Sequence, residues 1–452
     1  MVALDMTRTQ KNPSRWRRLQ ARLCPLSDWA VSSNLWRQGR YLKLGNYLWV
    51  EFLMARGSQS LWGGRPYWLT LDPSNLCQLH CPFCPTGANR GVRNKGTMDI
   101  NFFKAILKEV GPSAIHLDIM NWGESLLNKQ LPEMIALTKS YGIEVKLDAN
   151  FNDASEETID RLVRSGLDIL SLSVDGLSPE TYGRYRAGGD FDRVLRNLRT
   201  LVEKRQALGC KKPWIIWQFL VFRHNEHEAD RVEEFARACG ADQTSLVAPY
   251  LPNEKGYLWE WMARDPRYQI YPMPAAEPPA EELSRARECT HVKPGAPSVV
   301  LHARRFQARH LRRASYWLEV LRRTRRPADL GFALKRTAHL AERSESCGRD
   351  QQEAPSGPRP LCKWPWAGLA LNPDGSASPC CSVEDQSDDF GVFTRKGWRA
   401  LWNGSRYRAA RRHVRRFARG QVGVKADSDH VCERCQSIGR ADFKFPPHGS
   451  YS

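Results

Sequence analysis

Six short apolar runs, separated by helix-length amphipathic stretches, constrain the fold of this chain more than any other feature. The runs fall at 67–71, 115–120, 145–149, 169–174, 215–221 and 244–248, and helical periodicity is predicted near 99–110, 130–141, 155–164, 190–208 and 226–238. Strand–helix alternation of this kind requires parallel strands, because each helix must carry the chain back across one face before the next strand can be added. The expected class is therefore α/β: a partial (β/α)6 TIM-like barrel, with fewer units than the eight of a complete barrel. The alternation does not decide whether the sheet is open or closed. It does say where chemistry should collect, since barrel sites gather at the C-terminal ends of the strands.

The rest of the chain divides around this block. Residues 1–66 read as a basic helical extension, 67–250 as the partial barrel, and 251–360 as a linker with an Arg-rich helical insertion. Residues 361–440 read as a small cysteine-bearing domain and 441–452 as a flexible tail. Hydrophobic residues make up 41% of the chain, enough for a packed core and against general disorder. No apolar run has bilayer-spanning length, and the N-terminus lacks a secretory signal. The expected location is cytoplasmic, with peripheral attachment at the inner membrane surface left open.

The net charge of +19 is concentrated in 8–43, 301–326 and 395–420. Within 407–419 and 311–321, apolar residues recur every three or four positions and arginines fill much of the remaining circumference, the pattern of amphipathic helices. A packed apolar face with a solvated basic face accounts for both segments. Contact with an anionic membrane accounts for them too. No sequence-reading motif accompanies the charge, so no specific nucleic acid is expected.

Thirteen cysteines are not spread as a secreted disulfide framework. Cys77, Cys81 and Cys84 form a Cys-x3-Cys-x2-Cys loop directly after the first strand. Three thiolates on a short loop suit three irons of a cubane and leave the fourth open. Structural zinc, recruiting His80, is the alternative, and the spacing fits a compact cluster loop better. A second set, Cys362, Cys380, Cys432 and Cys435, supplies two pairs able to close on one group, and four thiolates satisfy zinc as readily as iron–sulfur. Cys381 reads as an alternate ligand, a supporting thiol or a buried one.

The first loop resembles the signature of the radical S-adenosylmethionine superfamily. That resemblance implies a catalytic [4Fe–4S] cluster on Cys77, Cys81 and Cys84, S-adenosylmethionine bound at its unique iron, and reductive cleavage to a 5′-deoxyadenosyl radical. It further implies that Phe83 shields the cluster and cofactor adenine. Gly123 and Glu124 match a cofactor-binding Gly-Glu motif in which Ser125 replaces the usual proline. Asn150 and Ser173 are expected on the cofactor-facing rim, with Asp175, Arg186 and Gln218 as catalytic candidates. Trp364-Pro365-Trp366, Asp374-Gly375 and Pro379-Cys380-Cys381 resemble the SPASM and twitch auxiliary-cluster extensions. The central cysteine series of a full SPASM domain is missing, which implies one auxiliary [4Fe–4S] cluster on Cys362, Cys380, Cys432 and Cys435.

The implied activity is abstraction of a carbon-bound hydrogen, with a flavodoxin or ferredoxin system as reductant. The expected substrate is a polar small molecule, sugar, aminocyclitol or glycoconjugate, undergoing dehydrogenation, deoxygenation or epimerisation. A maturase of a ribosomally made peptide is one alternative. A noncatalytic metal-binding scaffold interacting with a membrane or protein is another.

Overall fold

The computed structural model describes residues 29–89, 93–252, 254–288, 361–423, 425 and 430–435. Cys24, Cys289, Cys347, the 311–321 segment, the polar linker before 361 and the C-terminal tail lie outside the described residues. None of the helices among the described residues is long and apolar enough to cross a membrane.

The six expected strands are present: β1 Trp68–Leu71, β2 His116–Ile119, β3 Glu144–Ala149, β4 Ile169–Ser173, β5 Trp214–Leu220 and β6 Gln243–Val247. They pair side by side in sequence order, all parallel. Five of the intervening helices are α3 Ile100–Val110, α4 Leu131–Ser140, α5 Glu156–Arg164, α7 Phe191–Ala207 and α8 Val232–Ala238. Side-chain caps from Asp99, Ser155 and Asp190 start three of them by accepting bonds from otherwise orphaned backbone N–H groups. The stretch predicted as one helix near 226–238 divides into a 3-10 turn, Glu226–Arg231, and α8. A seven-residue helix, α6 Pro179–Tyr185, is not apparent from periodicity because it spans only two turns. Its capping box, Ser178 with Thr181, is what fixes it.

Alternation along β3 shows how the sheet separates its faces. Val145, Leu147 and Ala149 are buried in the main hydrophobic core, whereas Glu144, Lys146 and Asp148 are half-exposed. The same period of two runs through β2, where Leu117 and Ile119 join that core and His116 and Asp118 stand on the opposite face. Helices therefore cover the apolar face, while the other face is polar and charged.

The C-terminal segment is not a detached domain. β7 Gly368–Leu371 pairs parallel with β1, and β8 Ser376–Ser378 and β9 Gly391–Val392 follow antiparallel. One nine-stranded sheet results, in the order β6-β5-β4-β3-β2-β1-β7-β8-β9. The turn between β7 and β8 needs Gly375, whose φ of +82° is disfavoured for other residues.

Two N-terminal helices, α1 Trp29–Arg37 and α2 Tyr41–Ala55, lie against this body. α2 directs its charges inward. Buried Lys43 donates to the carbonyls of Gly111 and Ala114, and burial with Arg40 and Lys139 nearby lowers its pKa to about 7. Fully buried Glu51 accepts from the Tyr67 hydroxyl at 2.5 Å and from Lys363 at 3.1 Å.

The 407–419 segment is helical as expected, over Ser405–Ala418, but its basic face is only partly solvated. Arg411 is wholly buried, donating to the carbonyls of Pro365 and Gln59 beside the rings of Trp402 and Tyr407. Arg415 donates to the carbonyls of Met54 and Ala55 at the C-terminus of α2, where a cation complements the helix dipole.

Candidate active site

The cysteine loop leaves the C-terminal end of β1 and is pinned before it reaches its third thiol. His80 N–H donates to the Ala187 carbonyl at 2.8 Å, and Leu79 N–H lies 3.5 Å from Cys77 Sγ. Cys81 is buried; Cys77 and Cys84 are partly exposed. The three thiols lie within one electrostatic neighbourhood, each of the first two being disfavoured as a thiolate by its neighbours. Burial dominates, pushing Cys77 up to about 12 and Cys81 up to about 11, with Arg186 opposing it at Cys81. Neighbouring thiols this reluctant to ionise unaided fit a cationic group that supplies the missing positive charge. Among the described residues no three His, Cys, Asp or Glu side chains stand at the spacing of a single bare ion.

The strand ends place the remaining candidates around this loop. Glu124 is buried, and its two carboxylate oxygens accept from the backbone N–H groups of Leu126 at 3.2 Å and Asn150 at 2.7 Å. Its own N–H donates to the Leu76 carbonyl at 2.7 Å, next to Cys77. Burial raises the Glu124 carboxyl to about 7 against those two donors. Glu124 thus ties the ends of β1, β2 and β3 together. Gly123 is required by packing, because a Cβ there would stand 1.7 Å from the Ser74 carbonyl oxygen.

Asn150 faces the cysteine loop directly. Its Nδ2 is 3.8 Å from Cys77 Sγ, and its Oδ1 accepts from Gln78 Nε2 at 3.0 Å. The next residue, Phe151, takes a left-handed φ of +61° although it is fully buried, and Asn197 holds its carbonyl at 2.8 Å. That reversal ends β3 sharply enough to direct Asn150 back to the loop.

Asp175 and Arg186 form one unit. Arg186 Nε donates to Asp175 Oδ2 at 2.6 Å, while Leu220 N–H donates to Oδ1 at 2.7 Å, leaving the fully buried carboxylate engaged at both oxygens. Arg186 then presents Nη1 4.0 Å from Cys81 Sγ. Asp175 is therefore a positioning residue for the guanidinium beside the cysteine loop. Ser173 and Gln218 are neighbours in register, and Gln218 in turn neighbours Ser245, so three polar side chains stand in a row across β4, β5 and β6. Phe83 packs against Tyr185, Tyr257 and Trp261, with ring centroids 4.9–6.1 Å away, and closes the loop on its outer side.

Across the sheet's polar face runs a charged row that the strand pattern contains but that motif reading passes over. His116 is shared by Asp118 and Glu144, each at 3.0 Å, and Trp68 Nε1 donates to Asp118 at 2.7 Å. Lys146 pairs with Asp148 at 2.7 Å. The visible signal is a charge at alternate positions of β2 and β3, opposite the aliphatic ones.

The second cysteine set also converges. Cys380 is influenced electrostatically by Cys381, Cys435, Cys432 and Cys362. Burial pushes Cys362 up to about 12 and Cys432 well above the ordinary thiol range. Cys381 differs in its surroundings. After burial, its largest influence is Asp118, and Asp148 also contributes, both from the charged row of the sheet. Sequence reasoning also does not single out Arg93, which follows the cysteine loop and is buried against the C-terminal segment. It makes two 2.8 Å bonds to Asp389 and donates to the Val383 carbonyl. Trp122 Nε1 donates to that same carbonyl at 2.9 Å.

Comparison with known proteins agrees with this geometry. Residues 71–236 match the model of the radical SAM superfamily, and 362–436 match that of the SPASM iron-sulfur cluster-binding domain. PqqA peptide cyclases of Xanthomonas campestris pv. campestris, strains B100 and 8004, are each 25% identical over 186 residues, covering 40% of this chain and 46% of the relative. The match thus spans about half the length of those relatives. Among solved structures, Streptococcus suis SuiB bound to S-adenosylmethionine aligns at 13% identity and TM-score 0.44, covering 77% of this chain and 68% of that one. BtrN in complex with AdoMet and 2-DOIA aligns at 12% and 0.40, covering 82% and 92%. anSMEcpe with bound AdoMet aligns at 17% and 0.43, covering 77% and 82%. With its parallel β/α sheet, its cysteine loop after β1 and its second cysteine site on the same sheet, the chain belongs to the radical S-adenosylmethionine superfamily, whose cofactors are S-adenosylmethionine and a [4Fe–4S] cluster, and carries a SPASM auxiliary-cluster region.

Proposed function

We propose that this chain modifies a peptide, removing a carbon-bound hydrogen from one of its side chains. The observation that carries this reading is the sequence likeness to PqqA peptide cyclases. In this reading Cys77, Cys81 and Cys84 hold the catalytic cluster, and Cys362, Cys380, Cys432 and Cys435 hold one auxiliary [4Fe–4S] cluster. When bound and reduced by a flavodoxin or ferredoxin system, the cofactors supply a carbon-centred radical able to take hydrogen from a substrate carbon.

The chain's own residues do the rest. Arg186, oriented by Asp175, places a fixed positive charge beside Cys81. Asn150 and Glu124 set the cofactor-facing rim with Gly123, and Phe83, Tyr185 and Trp261 pack as an aromatic wall beside the loop. Ser173 and Gln218 offer hydrogen bonds to cofactor or substrate. The half-exposed end of the row, Lys146 and Asp148, receives the polar end of the substrate.

A polar small molecule is the second reading, favoured by the charge of that row alone. Both are tested by anaerobic reconstitution and turnover with substrates deuterated at carbon. One arm takes a PqqA-type peptide, the other an aminocyclitol and an amino sugar. Deuterium appearing in 5′-deoxyadenosine from the peptide arm is expected. Transfer only from the small molecules would reverse the assignment, and no 5′-deoxyadenosine in any arm would favour the noncatalytic scaffold.

A further inference from the structure

We propose that the N-terminal helices form an interfacial docking surface for an anionic lipid bilayer, independent of the substrate reading above. Surface helices of water-soluble proteins bury an apolar stripe and expose charge. α2 buries such a stripe, Tyr47, Val50 and Met54, but departs from the rule in the rest of its sequence. Its buried residues include Lys43 and Glu51, whereas Tyr41, Leu42 and Trp49 are exposed. Leu42 is 86% exposed, and Trp62, on the loop after α2, is 80% exposed. With Trp36, these make five of the nine exposed large hydrophobics among the described residues, all between positions 36 and 62. Trp49 Nε1 donates to the Trp62 carbonyl at 2.8 Å, which fixes the Trp49 indole against the backbone of Trp62 on a formed surface.

The surroundings are uniformly basic. Between 29 and 65 the one acidic residue is Glu51, and it is buried. Arg37 and Arg56 are exposed at the rim. The helix Ser405–Ala418 adds a stripe of exposed arginines, Arg408, Arg412, Arg416 and Arg419, on a segment that contains no acid between 395 and 420. This stripe adjoins the apolar patch, since Arg412 reaches Gln59 Oε1 at 3.3 Å and Arg415 caps α2.

Exposed indoles and a leucine beside clustered arginines match the headgroup boundary of an anionic leaflet, where Trp sits by preference and each nearby arginine strengthens binding about fivefold. With no membrane-spanning helix among the described residues, the surface would lie on a bilayer and not enter it deeply. A second copy fits less well, because its rim would set arginine against arginine.

The test is co-sedimentation of the full, anaerobically reconstituted chain with phosphatidylcholine vesicles, with and without phosphatidylglycerol. Phosphatidylglycerol should raise binding at least about tenfold, and high salt should reverse most of the gain. Leu42→Glu with Trp62→Glu, and separately Arg408→Glu with Arg412→Glu, should each lower it at least about tenfold. The cluster absorbance and far-ultraviolet circular dichroism should be unchanged, since all four side chains are exposed. Absence of binding to either vesicle, or undiminished binding by both variants, would overturn the proposal. So would concentration-dependent dimerisation that the Leu42→Glu and Trp62→Glu pair abolishes, which would assign the patch to a second copy.

Discussion

At the scale of single residues, the candidates divide by how far their partners lie along the chain. The cysteine triad, Gly123, Glu124 and Asn150 are legible because each follows a predicted strand, and strand ends of one parallel sheet converge. What those residues do is less legible. Asp175 stands two positions past the end of β4, where substrate contact is expected, yet its carboxylate serves Arg186 and the Leu220 N–H. Asp175→Asn keeps much of its shape but leaves a largely buried guanidinium uncompensated. Urea denaturation of the apo-protein should show a loss of about 3 kcal/mol, and an unchanged midpoint would remove the positioning role. His116 makes a second case. Burial works against its charge, but Asp118 and Glu144 outweigh that and raise its pKa to about 9 from 6.5. A raised folded pKa means the charged imidazolium stabilises the fold fully below about pH 6.5, and that stability is lost as pH rises through about 9. Denaturation at pH 6 and pH 9.5 should differ by up to about 3 kcal/mol, and His116→Asn should flatten the difference.

At the scale of elements, periodicity places the strands and the main helices but misjudges what the basic helix is for. The spacing of Tyr407, Ala410, Val414 and Phe417 identifies an apolar face, and all four are buried. Arginines on a helix read as solvated from sequence because their acceptors, here backbone carbonyls at 54, 55, 59 and 365, leave no pattern in side-chain identity. Arg411 and Arg412 are neighbours in sequence and opposites in consequence. Arg411 is buried, its pKa lowered to about 9 by that burial, and two carbonyls depend on it. Arg412 is exposed and bonds only the side chain of Gln59. Arg411→Ala should cost about 2–3 kcal/mol, whereas Arg412→Ala should stay within about 0.5 kcal/mol. Chemical denaturation of both variants checks this, and equal costs would show that burial does not separate the two.

At the scale of the whole molecule, the sequence suggests two units joined by a long linker, whereas β7 seats the second on the edge strand of the first. The joint is invisible in sequence because a parallel pairing between segments about 300 residues apart leaves no local signal. Arg93 strengthens the joint from the active-site side. It is 296 positions from Asp389, both side chains are buried, and the pair makes two 2.8 Å bonds. A second cysteine site mounted this way cannot swing independently of the first, since Trp122, next to Gly123, also bonds Val383. The protein should therefore unfold as one cooperative unit, with the absorbance of both clusters lost together on anaerobic denaturation. Arg93→Met strands the Asp389 carboxylate in the interior, a loss of about 3–5 kcal/mol. Because that loss falls on the joint and not on either core, it should separate the single transition into two, with the C-terminal cluster released first. Asp389→Asn should do the same more mildly, since Asn retains one acceptor for the guanidinium and for the Ser378 hydroxyl, which donates to Asp389 at 2.6 Å. Two transitions already present in the unaltered protein would show that the shared sheet does not couple the sites. A single unshifted transition in Arg93→Met would show that β7 pairing alone is sufficient.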